Sequence, residues 1–206
     1  MAKSKKYHGI NGTKSVLNAL KKVMKATGQK YSIRVGIIGN KAYEQHPESG
    51  LTNAELGAIH EFGAIINVTP KMRAFLNYMG VHLRKDTTQV VIPPRSFLRE
   101  VLLNKEVQKY LYNAADLTGD KDYDEIIARD ASNGKIPEFM NDIANIIGAK
   151  ALEMVQIAFD TGGYPNAWPP ISDITRQHRT GAADNPPLTD TGDLKDSITF
   201  EAKKVK

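Results

Sequence analysis

His60-Glu61-Phe62-Gly63-Ala64 opens like the helix of a zinc protease, in which two histidines one turn apart hold the metal and the intervening glutamate acts as general base. Ala64 stands where the second histidine is required, so the ligand pair is incomplete. His8, His46, His82 and His178 show no metal-ligand spacing, and no zinc site is expected. His60 then reads as a polar residue on a packed helix, and Glu61 as the partner of a nearby cation. A second cluster, Asp193-Leu194-Lys195, has the acid-x-Lys spacing of a Mg²⁺-dependent nuclease core, with Asp184 or Asp190 as the upstream acid. Such a core needs its triplet on a central strand. Here Asp190-Thr191-Gly192 reads as a helix start, with Asp190 or Thr191 as N-cap and Asp193 near the positive end of the helix. Phosphate loops of the GxGxxG and GxxxxGK[ST] types and the GxSxG nucleophile elbow are absent. No catalytic, metal or cofactor-binding residue is assigned, no cofactor is expected, and the chain does not read as an enzyme.

The residues around that second cluster are unusual in another way. Trp168-Pro169-Pro170, a polar loop, and Pro187-Leu188-Thr189-Asp190-Thr191-Gly192-Asp193-Leu194-Lys195-Asp196-Ser197-Ile198 combine the only tryptophan with four of the ten prolines. Apolar anchors (Trp168, Ile171, Leu188, Leu194, Ile198) recur between turn residues, the pattern of a loop packed onto a folded body.

The chain has 206 residues, 41% of them hydrophobic and 25% charged. A chain of this length buries about 70% of its unfolded surface as one domain, so a single domain spanning 1–206 is expected. No apolar run reaches the roughly 18 residues of a membrane span, and no membrane partner is expected. The basic start, Met1-Ala2-Lys3-Ser4-Lys5-Lys6, lacks the apolar stretch of a secretory signal, and the absence of cysteine suits a reducing cytoplasm. The net charge of +5 is unevenly spread: residues 1–43 hold ten Lys/Arg and no Asp/Glu. Lys5, Lys6, Lys21, Lys22 and Lys25 are therefore the candidate contacts to DNA or an acidic partner. Residues 1–12 read as a basic flexible N-terminal arm. Residues 114–135 read as an acidic surface insertion, since 116–130 carry six Asp/Glu against two Lys/Arg.

Spacing predicts the elements that position these residues. An amphipathic helix runs from Thr13, followed by a strand over 31–37 and a polar loop over 39–50. Thr52-Asn53-Ala54-Glu55 has capping-box spacing and opens a helix that Gly63 ends in the left-handed conformation. Residues 65–69 and 87–92 read as an antiparallel pair of strands, and 96–112 as one helix after Pro93-Pro94. A long helix over 137–159 carries the stripe Phe139, Ile143, Ile146, Ile147, Leu152, Val155 and Phe159. A helical turn at 192–195 and a closing strand over 197–203 complete the chain. Without regular βαβ alternation the fold class is α+β: a small, mainly antiparallel sheet packed against the long helix and shorter helices.

Five segments occur in this order: Ala54-Glu55-Leu56-Gly57-Ala58-Ile59-His60-Glu61-Phe62-Gly63-Ala64; Thr69-Pro70-Lys71-Met72-Arg73-Ala74-Phe75-Leu76; Ile92-Pro93-Pro94-Arg95-Ser96-Phe97-Leu98-Arg99; Trp168-Pro169-Pro170-Ile171-Ser172 with Thr175; and Pro187 to Ile198. Together, from about residue 31 to the C-terminus, they resemble the virion-morphogenesis or tail-completion proteins of tailed bacteriophages, including Mu-like phages and related neck-protein families. The resemblance implies a structural protein at the head–tail junction that works as a ring of identical subunits. It implies as partners other copies of itself, neighbouring connector or tail proteins and DNA in the channel, with assembly in the host cytoplasm and residence in the virion tail or neck. On that reading Phe62, Arg95, Phe97 and Trp168 are fold corners or contacts to a neighbouring subunit, and Arg95 and Arg99 pair with acids within the fold or across subunits. The alternatives are a Mg²⁺-dependent nuclease using Asp190, Asp193 and Lys195, or a free nucleic-acid-binding protein.

Overall fold

The computed structural model describes residues 30–46, 50–114, 133 and 135–205. The expected basic arm with Lys5 and Lys6, the expected first helix with Lys21, Lys22 and Lys25, and nearly all of the expected acidic insertion lie outside them. The chain is α+β. Its elements are β1 (Lys30–Gly36), a 3-10 turn (Gly39–Ala42), α1 (Asn53–Phe62), β2 (Ala64–Asn67), α2 (Pro70–Tyr78), β3 (Gln89–Ile92), α3 (Arg99–Leu102), α4 (Lys105–Ala114), α5 (Ile136–Thr161), α6 (Asp173–Gln177), α7 (Asp193–Asp196) and β4 (Thr199–Val205). Among the described residues the strands form two sheets of two strands each, β1 with β4 and β2 with β3, where one small sheet is predicted. No helix among these residues is long and apolar enough to cross a membrane.

Where length predicts a single domain, the chain forms two compact units. The first is drawn from Met1–Arg34, Gln108–Lys150 and Glu201–Lys206, the second from Val35–Val107 and Ala151–Phe200. In the first, β1 pairs with β4, α5 buries Met140, Ile143, Ala144 and Ile146, and the Lys150 ammonium lies 5.8 Å from the Tyr110 ring centre. In the second, Phe97, Val101, Val155, Ala158 and Phe159 are fully buried, with Trp168, Leu194 and Ile198 nearly so.

Local chemistry explains where the elements begin and end. The capping box at α1 is formed: Thr52 Oγ1 accepts from the Glu55 amide at 3.2 Å, and the Glu55 carboxylate accepts from the Thr52 amide at 2.9 Å. The Thr52 amide and hydroxyl, both donating to it, hold the Glu55 carboxyl below its ordinary pKa. Gly63 ends α1, but with φ 75° and ψ 170° rather than in the left-handed helical well. That combination is open essentially to glycine, and a Cβ there would sit 2.8 Å from the Ile92 carbonyl oxygen. The expected strand pair is in place, Ile65 opposite Val91 and Asn67 opposite Gln89. Between its strands lies α2, opened by Thr69 as N-cap and Pro70 at the first helical position. Arg73 ties the return of this arm, donating to the carbonyls of Leu83 (3.2 Å), Arg84 (2.9 Å) and Thr87 (2.5 Å).

The helix predicted over 96–112 is broken into α3 and α4. Asn104 Oδ1 accepts from the amides of Glu106 (2.9 Å) and Val107 (3.2 Å), which restarts the helix and ends the previous one. The buried stripe of α5 also departs from expectation. Ala144, Ala151 and Ala158 are buried alongside Ile143, Val155 and Phe159, whereas Ile147 and Leu152 are half-buried. Small side chains let neighbours approach the helix closely, a contribution that a search for bulky residues overlooks. The closing strand starts at Thr199 because Ser197 and Ile198 finish α7, their amides donating to the carbonyls of Asp193 and Lys195.

Candidate functional site

Three of the quoted segments meet in one buried node within the second unit. Glu61, on the last turn of α1, is only 4% exposed, and among the described residues its partners are a hydroxyl and backbone amides rather than a cation. Its Oε1 accepts from Ser96 Oγ (2.6 Å) and the Arg99 amide (2.9 Å), and its Oε2 from the amides of Phe97 (2.8 Å) and Leu98 (3.0 Å). The start of α3 has Leu98 at its N-cap, a residue without a capping oxygen, so Glu61 supplies the cap from a distant part of the chain. Ser96 Oγ then accepts from the Glu100 amide at 3.0 Å.

Arg95 lies beside this node and joins it to the Trp-Pro-Pro loop. Its amide donates to the His60 carbonyl at 2.7 Å, and its guanidinium to the carbonyls of Pro169 (2.8 Å) and Pro170 (3.0 Å). Burial lowers the guanidinium pKa from its ordinary value. The expected acid partner is thus replaced by two backbone carbonyl oxygens. Among the described residues the Arg99 guanidinium lies over an aromatic ring instead, 5.2 Å from the Phe62 ring centre. Trp168 Nε1 donates to the Ser96 carbonyl at 3.2 Å. Its ring meets Phe159 edge to face at 5.5 Å, and Phe159 meets Phe97 at 5.1 Å. Arg95, Phe97 and Trp168 are therefore fold corners, buried within the chain, while Phe62 is 64% exposed.

The Asp-Thr-Gly-Asp-Leu-Lys segment is spent on structure as well. Asp190 Oδ1 accepts from the Gly181 amide at 2.6 Å and lies 3.6 Å from Arg179 Nε. Burial raises its carboxyl, but the amides of Gly181 and Thr180 and the charge of Arg179 together hold it below the ordinary carboxylate pKa. Arg179 also donates to the carbonyls of Asn185 (2.6 Å) and Pro186 (2.9 Å), which folds the loop around one buried guanidinium. Lys195 Nζ pairs with Asp160 Oδ1 at 2.5 Å, away from Asp190. Asp193 is in the first turn of α7 and accepts from Thr191 Oγ1 at 2.6 Å. The N-cap is Gly192 in the left-handed conformation, not Asp190 or Thr191. The loop between Pro170 and Pro187 also contains a helix that spacing did not reveal, α6, capped by Ser172.

A small cavity of about 210 Å³ brings His46 and His60 together with Asp190 and Leu194. Among the described residues the buried Nδ1 atoms of both imidazoles lack a hydrogen-bond partner. No cluster of three or more His, Cys, Asp and Glu side chains with metal-binding geometry occurs among these residues. Burial, then the charges of Arg95 and His46, push the His60 imidazole down to about 4. The unfolded chain, with an ordinary imidazole, takes up a proton as pH falls through 6.5, while the folded chain resists until about 4. His60 therefore lowers stability on acidification across that window, by about 2 kcal/mol between pH 7 and pH 5. Urea unfolding at stepped pH should show this slope, and His60→Asn should remove it.

A larger cleft of about 500 Å³ opens between α1 and α3, walled by Ala54, Gly57 and Ala58 on one side and Phe97, Leu98 and Leu102 on the other. Phe62, Arg99 and Leu103 also line it, and Leu103 is 65% exposed. Gly57 permits its narrow floor, since a Cβ there would sit 2.4 Å from Ile37 Cδ1. The chain matches no family model, no curated protein and no solved structure.

Proposed function

We propose that this chain is a structural protein of a tailed-phage virion, a tail-completion, neck or connector component at the head–tail junction that acts as an oligomeric ring. One observation carries the reading. The segments that resemble the virion-morphogenesis proteins interlock through Glu61, Arg95, Ser96 and Trp168, and Asp190, Asp193 and Lys195 are engaged in holding the chain together. The same chain leaves large apolar side chains uncovered, among them Ile65 at 67%, Phe75 at 60% and Tyr78 at 87% exposure. Extensive exposed apolar surface is the mark of a protein that completes itself against others. Its partners are further copies of itself and neighbouring connector or tail proteins. The lysines at 5, 6, 21, 22 and 25 are the proposed contacts to DNA in the channel or to an acidic neighbouring ring.

Mass measurement in solution with negative-stain imaging tests the reading, and closed rings of one subunit type are the expected result. The competing reading, a Mg²⁺-dependent nuclease, requires DNA cleavage that Asp193→Ala abolishes, and that outcome would overturn the proposal. The DNA contact is read separately. Salt-sensitive retention of duplex DNA that weakens when the five lysines are replaced supports it, because binding through phosphates falls steeply with ionic strength.

A further inference from the structure

We propose that residues 188–192 form a strap over the His46–His60 cavity, and that protonation of His60 lifts this strap while the rest of the unit stays folded. Leu188, Asp190, Thr191 and Gly192 line the cavity together with His46 and His60. Two backbone features bracket the strap. Leu188 has φ 67°, a conformation that a residue with a side chain rarely adopts, and Gly192 has φ 92° with open space where a Cβ would stand. One end thus holds strain that movement relieves, and the other is a glycine with room to turn. The strap's hydrogen bonds, among the described residues, stay within 180–196. Asp190 accepts from the Gly181 amide, Thr189 Oγ1 donates to the Pro186 carbonyl at 2.6 Å, and Thr191 Oγ1 donates to Asp193 at 2.6 Å. What fixes α1 is separate: its capping box, the Arg95 amide on the His60 carbonyl, and the Glu61 bonds to the start of α3. The strap can therefore leave without breaking those bonds, and its opening costs less than unfolding.

The trigger is the missing acceptor. An imidazolium donates from both ring nitrogens, so each needs an acceptor or water. His60 Nδ1 is buried and has no hydrogen-bond partner among the described residues, so the charged ring is left unsatisfied while the strap is closed. The charged groups around it do not compensate. Arg95, on the segment before α3, and His46, on the loop before α1, both disfavour a positive charge on His60. Asp190, on the strap, is committed to the Gly181 amide and to Arg179. Asp193 lies beyond Gly192, in α7, and is 3.9 Å from His46 Nε2, so its attraction acts on α7 and not on the strap. Glu61 spends both oxygens on the start of α3. Burial first, then the two cationic neighbours, push the imidazole of the closed state down to about 4, against 6.5 for the ordinary ring. The open state, with water at the ring, binds the proton more tightly, so opening becomes more favourable as pH falls below 6.5.

The test uses the full chain and reads opening through a single thiol, since the chain has no cysteine. Leu194 lines the same cavity and is 4% exposed, so Leu194→Cys is shielded while the strap is closed. Leu56→Cys, on the α1 side of the lining, is a second reporter that leaves α7 untouched. Labelling by a dipyridyl disulfide, divided by the rate in urea at the same pH, should rise about 20-fold between pH 7 and pH 5, the ratio that the two imidazole values set. Trp168 emission, which reports the Phe97–Phe159 core, should stay constant over that range. His60→Asn on the same background should abolish the rise, and His178→Asn should leave it intact. A rise that survives His60→Asn, or a flat profile in both reporters, overturns the proposal. A rise that goes together with a red shift of the tryptophan emission means that the unit opens as a whole, and it overturns the strap as well.

Discussion

Glu61→Gln should lower the stability of the protein by about 1–3 kcal/mol for each buried amide it leaves facing a donor. The reason is stoichiometric. Both carboxylate oxygens are fully used, each accepting two hydrogen bonds, and three of the four donors are backbone amides that can only donate. An amide keeps one accepting oxygen and sets an NH₂ group against the donors facing the other. With the NH₂ toward Phe97 and Leu98 two contacts become donor against donor; turned the other way, the Ser96 hydroxyl can accept from it and the Arg99 amide alone is opposed. Glu61→Asp keeps the acceptor count and loses only reach, so a smaller loss is expected. Ser96→Ala removes one donor and the bond to the Glu100 amide, leaving the three backbone amides capped. Equilibrium urea unfolding should rank the variants Glu61→Gln, Glu61→Asp, Ser96→Ala from most to least damaged. If glutamine is tolerated like aspartate, the carboxylate is not the cap that fixes the Pro93–Arg99 corner.

The residues of that corner were easy to select from the sequence and hard to assign. Thr52-x-x-Glu55 is legible because a capping box closes within one helical turn, and β2 with β3 because β-branched runs declare themselves locally. The partner of Glu61 is not local. A cation was the natural expectation for an acid near the end of a helix, yet the acceptor was needed by three amides some 35 residues along the chain. One signal was available: a helix start at Ser96–Arg99 with Leu98 at its N-cap has no capping oxygen of its own. Arg95 misled in the same way, since a buried guanidinium satisfied by proline carbonyls leaves no acid in the sequence to find. The Gly63 turn was visible, but not its extended ψ, which is set by the close passage of Ile92 and Pro94. In the α5 stripe, alanines that let neighbours approach carry no signature in a pattern of bulky residues.

Trp168→Ala should cost about 3–5 kcal/mol, the range for deleting a large buried aromatic, and it should release the segment that follows it. Trp168 is the only tryptophan, and it fixes the start of the Trp-Pro-Pro loop by three kinds of contact. Its ring closes the Phe97–Phe159 stack, its amide donates to the Gly162 carbonyl at 2.7 Å, and its Nε1 donates to Ser96. Gly163 makes the approach possible, because a Cβ there would lie 2.6 Å from the Trp168 nitrogen. Removing the ring leaves a void against Phe159 and loses the side-chain bond, so trypsin should cut faster at Arg176 and Arg179 in the mutant than in wild type. Trp168→Phe separates the terms: the ring contact is largely kept, the indole bond is lost, and the cost should fall to about 1–2 kcal/mol. The sole tryptophan also reports on the neighbouring cap. Glu61 holds the Ser96 side chain while Trp168 holds the Ser96 carbonyl, so Glu61→Gln should shift the tryptophan emission to longer wavelength before the global transition. For the same reason Glu61→Gln and Trp168→Phe should be non-additive, with a coupling of about 0.5–3 kcal/mol, as for residues that share a partner. Strict additivity would mean that the cap and the loop are anchored independently, and that Ser96 does not join them.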